Sequence, residues 1–408
     1  MTMMMLGMPS RLSGARGVLR AAVCAAALAA LVGATASTSA TATAGSPEPA
    51  RAARAEVPAG VTAGVAVFDR RTGAFTEQLN SAGQFRSASV VKLLIALDLL
   101  WGRSPDALPA ADRARIDSML RGSDDSAASA LWAANGGGAI IDRMVARLGL
   151  TDTARPPATH PGHWGYTALS ARDTVTVYRH LLDTAPAAVR DHLMTGLRGS
   201  TRCATDGYDQ HFGIPGAFER PWAVKQGWSG FTSGGCTATT ATATARSGPI
   251  PSTGTGTKAP VSSAEGAADV DLTRPALHTT GVVGAGDRTI VAVLTLHPAG
   301  TAYGRAYTDI GRLTRSLNVP GATRPSGTWV GTWGSGVRVR SGATTGSGAL
   351  TTLPAGAEVL VGCQRRGQQV SVPPYTNDWW AYLPQYGGYM TNVYLSVPEN
   401  QVPGVPVC

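Results

Sequence analysis

The stretch Phe85-Arg86-Ser87-Ala88-Ser89-Val90-Val91-Lys92-Leu93-Leu94-Ile95-Ala96-Leu97-Asp98-Leu99-Leu100 passes from small and polar residues into a nearly unbroken apolar run. Such a pattern is a loop entering a buried helix, with Ser89 near the helix start. Three residues on a helix make almost one turn, so the Lys92 amine can lie beside the Ser89 hydroxyl. A serine hydroxyl becomes a useful nucleophile when a nearby base takes its proton. Lysine serves as that base once burial lowers its pKa from about 10.4, and the apolar run offers burial. Taken alone, the same four residues also describe an N-cap serine and a snorkelling lysine on a core helix.

Composition narrows the surroundings. The chain has 408 residues and a formal charge of +9, carried almost wholly by arginine, with lysine only at 92, 225 and 258. Scattered arginine without a basic cluster argues against a nucleic-acid groove; a surface tolerant of anionic polymers is the milder inference. Residues 1–44 read as a secretory leader: Arg11, Arg16 and Arg20 precede an apolar run at 21–33, which is short for a membrane span, and small-residue cleavage sites follow. The expected product is secreted or extracellular, without a membrane span once the leader is removed. Cys203, Cys236, Cys363 and Cys408 then remain, an even number suited to disulfides. The domain division favours Cys203 with Cys236 and Cys363 with Cys408, and other connectivities stay open. No C-x-x-C pair is present, and His160 and His163 lack a third partner, so no metal and no cofactor are expected.

Along the chain, residues 45–57 are rich in Ala, Pro and Arg and read as a flexible linker. Strand patterns at 61–70 and 75–79 precede the Ser89 helix. Helical patterns follow at 110–120, 126–134, 139–148, 170–182 and 187–196, with Ser170 and Asp173 as a capping-box variant. The Pro-, His- and Gly-rich stretch 151–167 is a long loop. Strands return at 222–228, 276–283 and 289–296, and a helix follows at 303–317. A sheet assembled from both ends, with helices inserted, is an α+β (α/β/α sandwich) arrangement. Residues 237–270 form a low-complexity insertion expected to be disordered. After a linker at 319–332, short strand patterns with Gly and Pro turns indicate a small all-β barrel over 333–408.

Two further stretches accompany Ser89: Ser123-Asp124-Asp125 at a helix start, and Lys225-Gln226-Gly227-Trp228 on a strand. With Ser89-Val90-Val91-Lys92 they resemble the S-x-x-K, S-D-N and K-T-G marks of class A β-lactamases and penicillin-binding enzymes, over residues 58–318. The chain resembles an actinobacterial secreted member of that group. The resemblance implies a serine hydrolase in which Ser89 is acylated, Lys92 is its proton partner and Ser123 relays a proton to the leaving nitrogen. Lys225 would hold the second motif and attract a substrate carboxylate, and the N–H groups of Ser89 and Trp228 would form an oxyanion hole. Asp125, Gln226, Gly227 and Trp228 would contact a β-lactam or a peptidoglycan stem peptide.

Three departures qualify this. Asp125 replaces an Asn that would donate to a substrate carbonyl. Gln226 replaces a hydroxyl residue. The loop 151–167 holds Asp152 as its sole acid, whereas the family places there a glutamate that activates water. Deacylation is therefore expected to be poor. A D,D-peptidase, or a weak or inactive relative acting as a wall-binding protein, competes with the lactamase reading. The C-terminal segment resembles bacterial SH3-like modules through Val337-Arg338-Val339-Arg340-Ser341-Gly342, Leu353-Pro354-Ala355-Gly356 and Trp379-Trp380-Ala381-Tyr382. That resemblance implies a cell-wall ligand, with Trp379, Trp380 and Tyr389 as candidate contacts or as core.

Overall fold

The computed structural model describes residues 55–236 and 270–408. The leader, nearly all of the first linker, and the low-complexity insertion up to 269 lie outside the described residues.

Strands β1 (Thr62–Asp69) and β2 (Ala74–Leu79) form a hairpin, and a two-residue strand β3 (Phe85–Arg86) leads into the Ser89 segment. There a single 3₁₀ turn (Ala88–Val91) precedes α1 (Lys92–Leu99). Next come α2 (Ala110–Arg121), α3 (Asp125–Ala134), α4 (Ala139–Leu148), the short strand β4 (Ala168–Leu169), α5 (Ala171–Arg179), α6 (Ala187–Arg198) and a single turn α7 (Ile214–Ala217). Strands β5 (Trp222–Ser229), β6 (Ala276–Val283) and β7 (Thr289–Leu296) follow, and then α8 (Tyr303–Ser316). The sheet order is β2-β1-β7-β6-β5, so both ends of the segment build one antiparallel sheet, as the α+β reading expects.

Burial explains why the order holds. Every residue of β6 and β7 is buried, because helices cover both faces of the sheet. On one face, α1 to α6 enclose a core that includes Leu94, Ile116, Met144, Tyr178 and Leu193. On the other face, Phe212 just before α7, and Ile310 and Leu313 of α8, pack with Val65, Val224 and Val293. Local signals fit these elements: α4 stops at Gly149, whose φ of 64° suits the left-handed C-terminal position. Ser170 caps α5 by accepting from the Asp173 N–H. Asp173 does not complete the box; its carboxylate instead accepts from the N–H groups of Thr151 and Asp152 and from the Thr153 hydroxyl, fastening the start of the long loop.

The C-terminal segment contains β8 (Thr328–Gly331), β9 (Arg338–Arg340), β10 (Ala349–Thr352), β11 (Glu358–Val361), β12 (Cys363–Val372), β13 (Tyr375–Leu383) and β14 (Gly388–Thr391). Five of them form a sheet in the order β10-β9-β14-β13-β12, and β8 pairs with β11 separately. The segment is all-β as expected, and among the described residues these ladders do not close into a ring. The stretch read as linker is partly structured, because β8 lies inside it.

The segment packs on the body through α8. Arg312 and Arg315 both pair with Glu358, the Glu358 N–H donates to the Thr308 hydroxyl (2.9 Å), and the Arg315 guanidinium stacks on Trp329. Gly304 is needed at this contact, since a Cβ there would overlap the Ala355 carbonyl. Trp379 and Trp380 are buried, and the Trp380 indole donates to the Gln368 carbonyl, which places both among the core residues. The exposed aromatics of the segment are Trp333 (46%) and Tyr375 (58%).

Two disulfides join Cys203 to Cys236 and Cys363 to Cys408. The first closes 33 residues around β5, worth about 3–4 kcal/mol on a chain-entropy account. The second ties the C-terminus to β12. No helix among the described residues is long and apolar enough to cross a membrane.

Candidate active site

The sequence builds the site from one turn, one cap and one strand. Ser89 lies within the 3₁₀ turn and caps no helix. Ala88 before it has φ 43° and Ser123 has φ 56°, two of the four non-glycine residues with positive φ among those described. Backbone held in this region is strained and persists only where its surroundings impose it. The cap of α3 is Asp124, which accepts from the N–H groups of Ser126 and Ala127. Ser123 is thereby released from capping and turned toward Lys92.

The four residues meet beneath the cleft. Lys92 Nζ lies 2.8 Å from Ser89 Oγ, 3.2 Å from Ser123 Oγ and 2.7 Å from the Ser123 carbonyl. Lys225 Nζ, from β5, reaches Ser123 Oγ at 2.9 Å and the Gln226 carbonyl at 3.0 Å. Both amines are buried. Burial holds the Lys92 ammonium below the ordinary lysine range, and the neighbouring Asp125 carboxylate acts in the opposite sense. Burial lowers Lys225 further, and the charge of Lys92 adds to that effect.

Gly227 lies in close approach to the Ser89 turn. A Cβ there would lie 3.0 Å from the Ser87 carbonyl and 3.2 Å from the Ser89 nitrogen, so any larger residue would have to push β5 off the turn by a few tenths of an ångström. β5 is also an edge strand, which leaves alternate backbone groups without a ladder partner.

Asp125 sits at the rim, its side chain 61% exposed, with Oδ1 2.6 Å from Lys92 Nζ. Trp228 lines the cleft; its indole stacks on Tyr208 and donates to Asp206 at 2.9 Å. Gln226 departs from expectation. Neighbouring strand residues face opposite sides, so once Lys225 points to Ser123, Gln226 points away. Its amide donates to the Phe212 carbonyl (2.7 Å) in the core behind the sheet, and its side chain does not line the cleft.

Two residues outside the sequence motifs shape the site. The Trp164 ring, from the long loop, covers Lys92, with Nζ 4.8 Å from the ring centroid, and its indole donates to Ser129 Oγ at 3.2 Å. Asp152, the loop's own acid, is held away by Ser170 and Arg172. The second residue is Asp206, which lies inside the Cys203–Cys236 loop and accepts from Trp228 and the Tyr208 N–H. Burial raises its pKa above the usual aspartate value, and the nearby Asp125 charge adds to the rise. Trp164 and Asp206 carry no motif, though a lone tryptophan in a Pro- and Gly-rich loop and an acid three residues after a disulfide cysteine were visible signs. Together with Ser89, Asp125, Tyr208 and Trp228 they line a cavity of about 430 Å³. His160 and His163 pack with Tyr166 in the same loop.

No protein-family profile matches the chain. Over 178 residues, 41% of this chain, it is 42% identical to the protein named "Putative lipoprotein LppW" in Mycobacterium tuberculosis and Mycobacterium bovis. The chain spans about half the length of these curated relatives, 54%. Among solved structures it is similar to a class A β-lactamase from Mycobacterium abscessus, at 17% identity over 63% of this chain and 92% of that one, with a TM-score of 0.43. It is also similar to PBP-A, at 16% identity over 64% of this chain and 90% of that one, with a TM-score of 0.43. What the site can do is read from the contacts of its own residues.

Proposed function

We propose that the chain is an active-site-serine acyl enzyme of the penicillin-recognising type, slow to release its acyl group. The observation that carries this reading is the buried Lys92 amine at 2.8 Å from the Ser89 hydroxyl, bridged through Ser123 to Lys225. In its neutral form Lys92 accepts the Ser89 proton while Oγ bonds to the substrate carbonyl carbon. Ser123 Oγ receives hydrogen bonds from both amines, which leaves its own O–H to donate. The proton on Lys92 passes through Ser123 to the leaving nitrogen as the C–N bond breaks. Backbone N–H groups of Ser89 and Trp228 hold the oxyanion, a role supported by the approach of Gly227 to Ser89 and the edge position of β5.

The substrate is a β-lactam or a D-Ala-D-Ala amide. Release to water is slow because the loop side chain over Lys92 is the indole of Trp164, which cannot take a proton from water. The test is intact mass after incubation with benzylpenicillin, beside a Ser89→Ala control. An adduct on the unmodified protein alone is expected; equal mass gain on both proteins, or none on either, would count against the reading. The Trp164 position also favours a second reading, a cell-envelope protein that has kept the fold and lost turnover.

An extracytoplasmic location is supported by the two disulfides and by the relatives' name as lipoproteins. In the C-terminal segment, read as SH3-like, the exposed Trp333 and Tyr375 line a groove of about 350 Å³ suited to a wall ligand.

A further inference from the structure

The cleft above Ser89 is unusual in its charge. Among the described residues lining it, Asp125 and Asp206 carry carboxylates and none is Lys or Arg. The cations beneath, Lys92 and Lys225, are buried and already bonded to Ser89, Ser123 and Asp125. Arg86 is buried behind the cleft wall, its guanidinium spent on the lining residue Ser229 and on the Asp271 and Arg274 carbonyls. Gln226, which stands where the family has a hydroxyl residue, is behind the sheet. An anionic group at this rim would meet Asp206 and the Lys92-paired Asp125, with the His163 imidazole and no Lys or Arg among the described lining residues, an arrangement that costs binding.

The rim also carries aromatic faces. Tyr208 and Trp228 are stacked, with ring centroids 5.7 Å apart, beside Asp206. Trp164 and Tyr166, from the long loop, line the same cleft. Carboxylates set among aromatic rings are a recognition surface for ammonium groups, which the ring faces attract without needing hydrogen bonds.

We propose that the acyl substrate taken by Ser89 carries a cationic group, an alkyl- or arylammonium, seated against Asp125, Asp206, Tyr208 and Trp228. The assignment rests on the acyl-enzyme reading for its chemistry and on the rim for its selectivity, so the two can fail separately.

The test has two arms on the full chain. In the first, binding of benzyltrimethylammonium and of phenylacetate, neither able to acylate, is followed by tryptophan fluorescence. The cation is expected to bind at least about fivefold more tightly, with the preference shrinking at high salt and in Asp206→Asn. The salt series on the unmodified protein serves if that variant fails to fold. Equal or tighter binding of phenylacetate, or binding of neither, would overturn the proposal. In the second arm, acylation is timed with three penicillins that differ at one carbon: ampicillin (ammonium), benzylpenicillin (neutral) and carbenicillin (carboxylate). The order ampicillin, benzylpenicillin, carbenicillin is expected, and equal rates would overturn the proposal. If none acylates while the cation preference of the first arm holds, the serine chemistry fails and the selectivity of the rim stands.

Discussion

The floor and the rim of the cleft obey different rules. In the floor, Ser89, Lys92, Ser123 and Lys225 are buried and each bonds to at least one of the others within 3.2 Å. At the rim, Asp125, Trp164, Asp206 and Trp228 are partly open to solvent; Trp164 and Asp206 arrive from two loops, while Asp125 starts α3 and Trp228 lies near the end of β5, the strand that carries Lys225. On the proposed reading, a floor of this kind would activate a nucleophile whatever substrate lies above it. The rim would then decide what enters and how fast the acyl group leaves. The comparison teaches that chemistry and selectivity can diverge within one site, because two of the rim residues, Trp164 and Asp206, come from loops that contribute nothing to the floor.

The strongest way to break the comparison is to disable the floor. Lys92→Met removes the proton acceptor while keeping an apolar stem, and acylation is expected to fall by about 10²–10⁴, measured by the rate of mass gain. A rim substitution with an equal effect would erase the distinction. The next largest effect repairs the rim. Trp164→Glu places a carboxylate near Lys92, and loss of the acyl group is expected to quicken by up to about 10², followed by the return of unmodified mass.

A pH series sharpens the boundary between the two regions. If neutral Lys92 is the proton acceptor proposed above, then, since burial lowers its pKa, acylation should climb with pH at a midpoint below the ordinary lysine value of 10.5. Asp125 holds that pKa up; Asp125→Asn removes its charge, and the profile should move to lower pH. A shift to higher pH would contradict the pairing. The smallest effect comes from the Cys203–Cys236 bridge. Replacing both cysteines by serine should cost about 3 kcal/mol, read as a lower midpoint of unfolding. Because Asp206 and Trp228 lie inside that loop, selectivity among substrates should suffer more than the rate with a small neutral acyl donor.

The floor was legible in the sequence because its geometry is local or periodic. Ser89 and Lys92 are one turn apart, Asp124 caps the helix that follows Ser123, and Lys225 lies on a strand whose apolar pattern is plain. Strand periodicity also held the answer for Gln226, since it and Lys225 cannot share a face. The rim was not legible. Trp164 reaches Lys92 only after a long loop folds back, held through Asp173 and the pairing of Phe85 with Leu169. Asp206 reaches the cleft only through a loop that a disulfide closes. In the C-terminal segment, the alternating pattern that marks β13 says nothing of which tryptophans its neighbours cover. Trp379 and Trp380 proved to be core, and the exposed pair Trp333 and Tyr375 lay outside the motifs.

The most direct test of the central claim is the lifetime of the acyl group. The protein is pulsed with benzylpenicillin, excess drug is removed, and the intact mass is followed with time, with the modified peptide mapped at the end. A single adduct on Ser89 that forms readily and persists for many minutes is the predicted result. An adduct on another residue, or one that forms on Ser89 and vanishes as fast as it can be sampled, would contradict it.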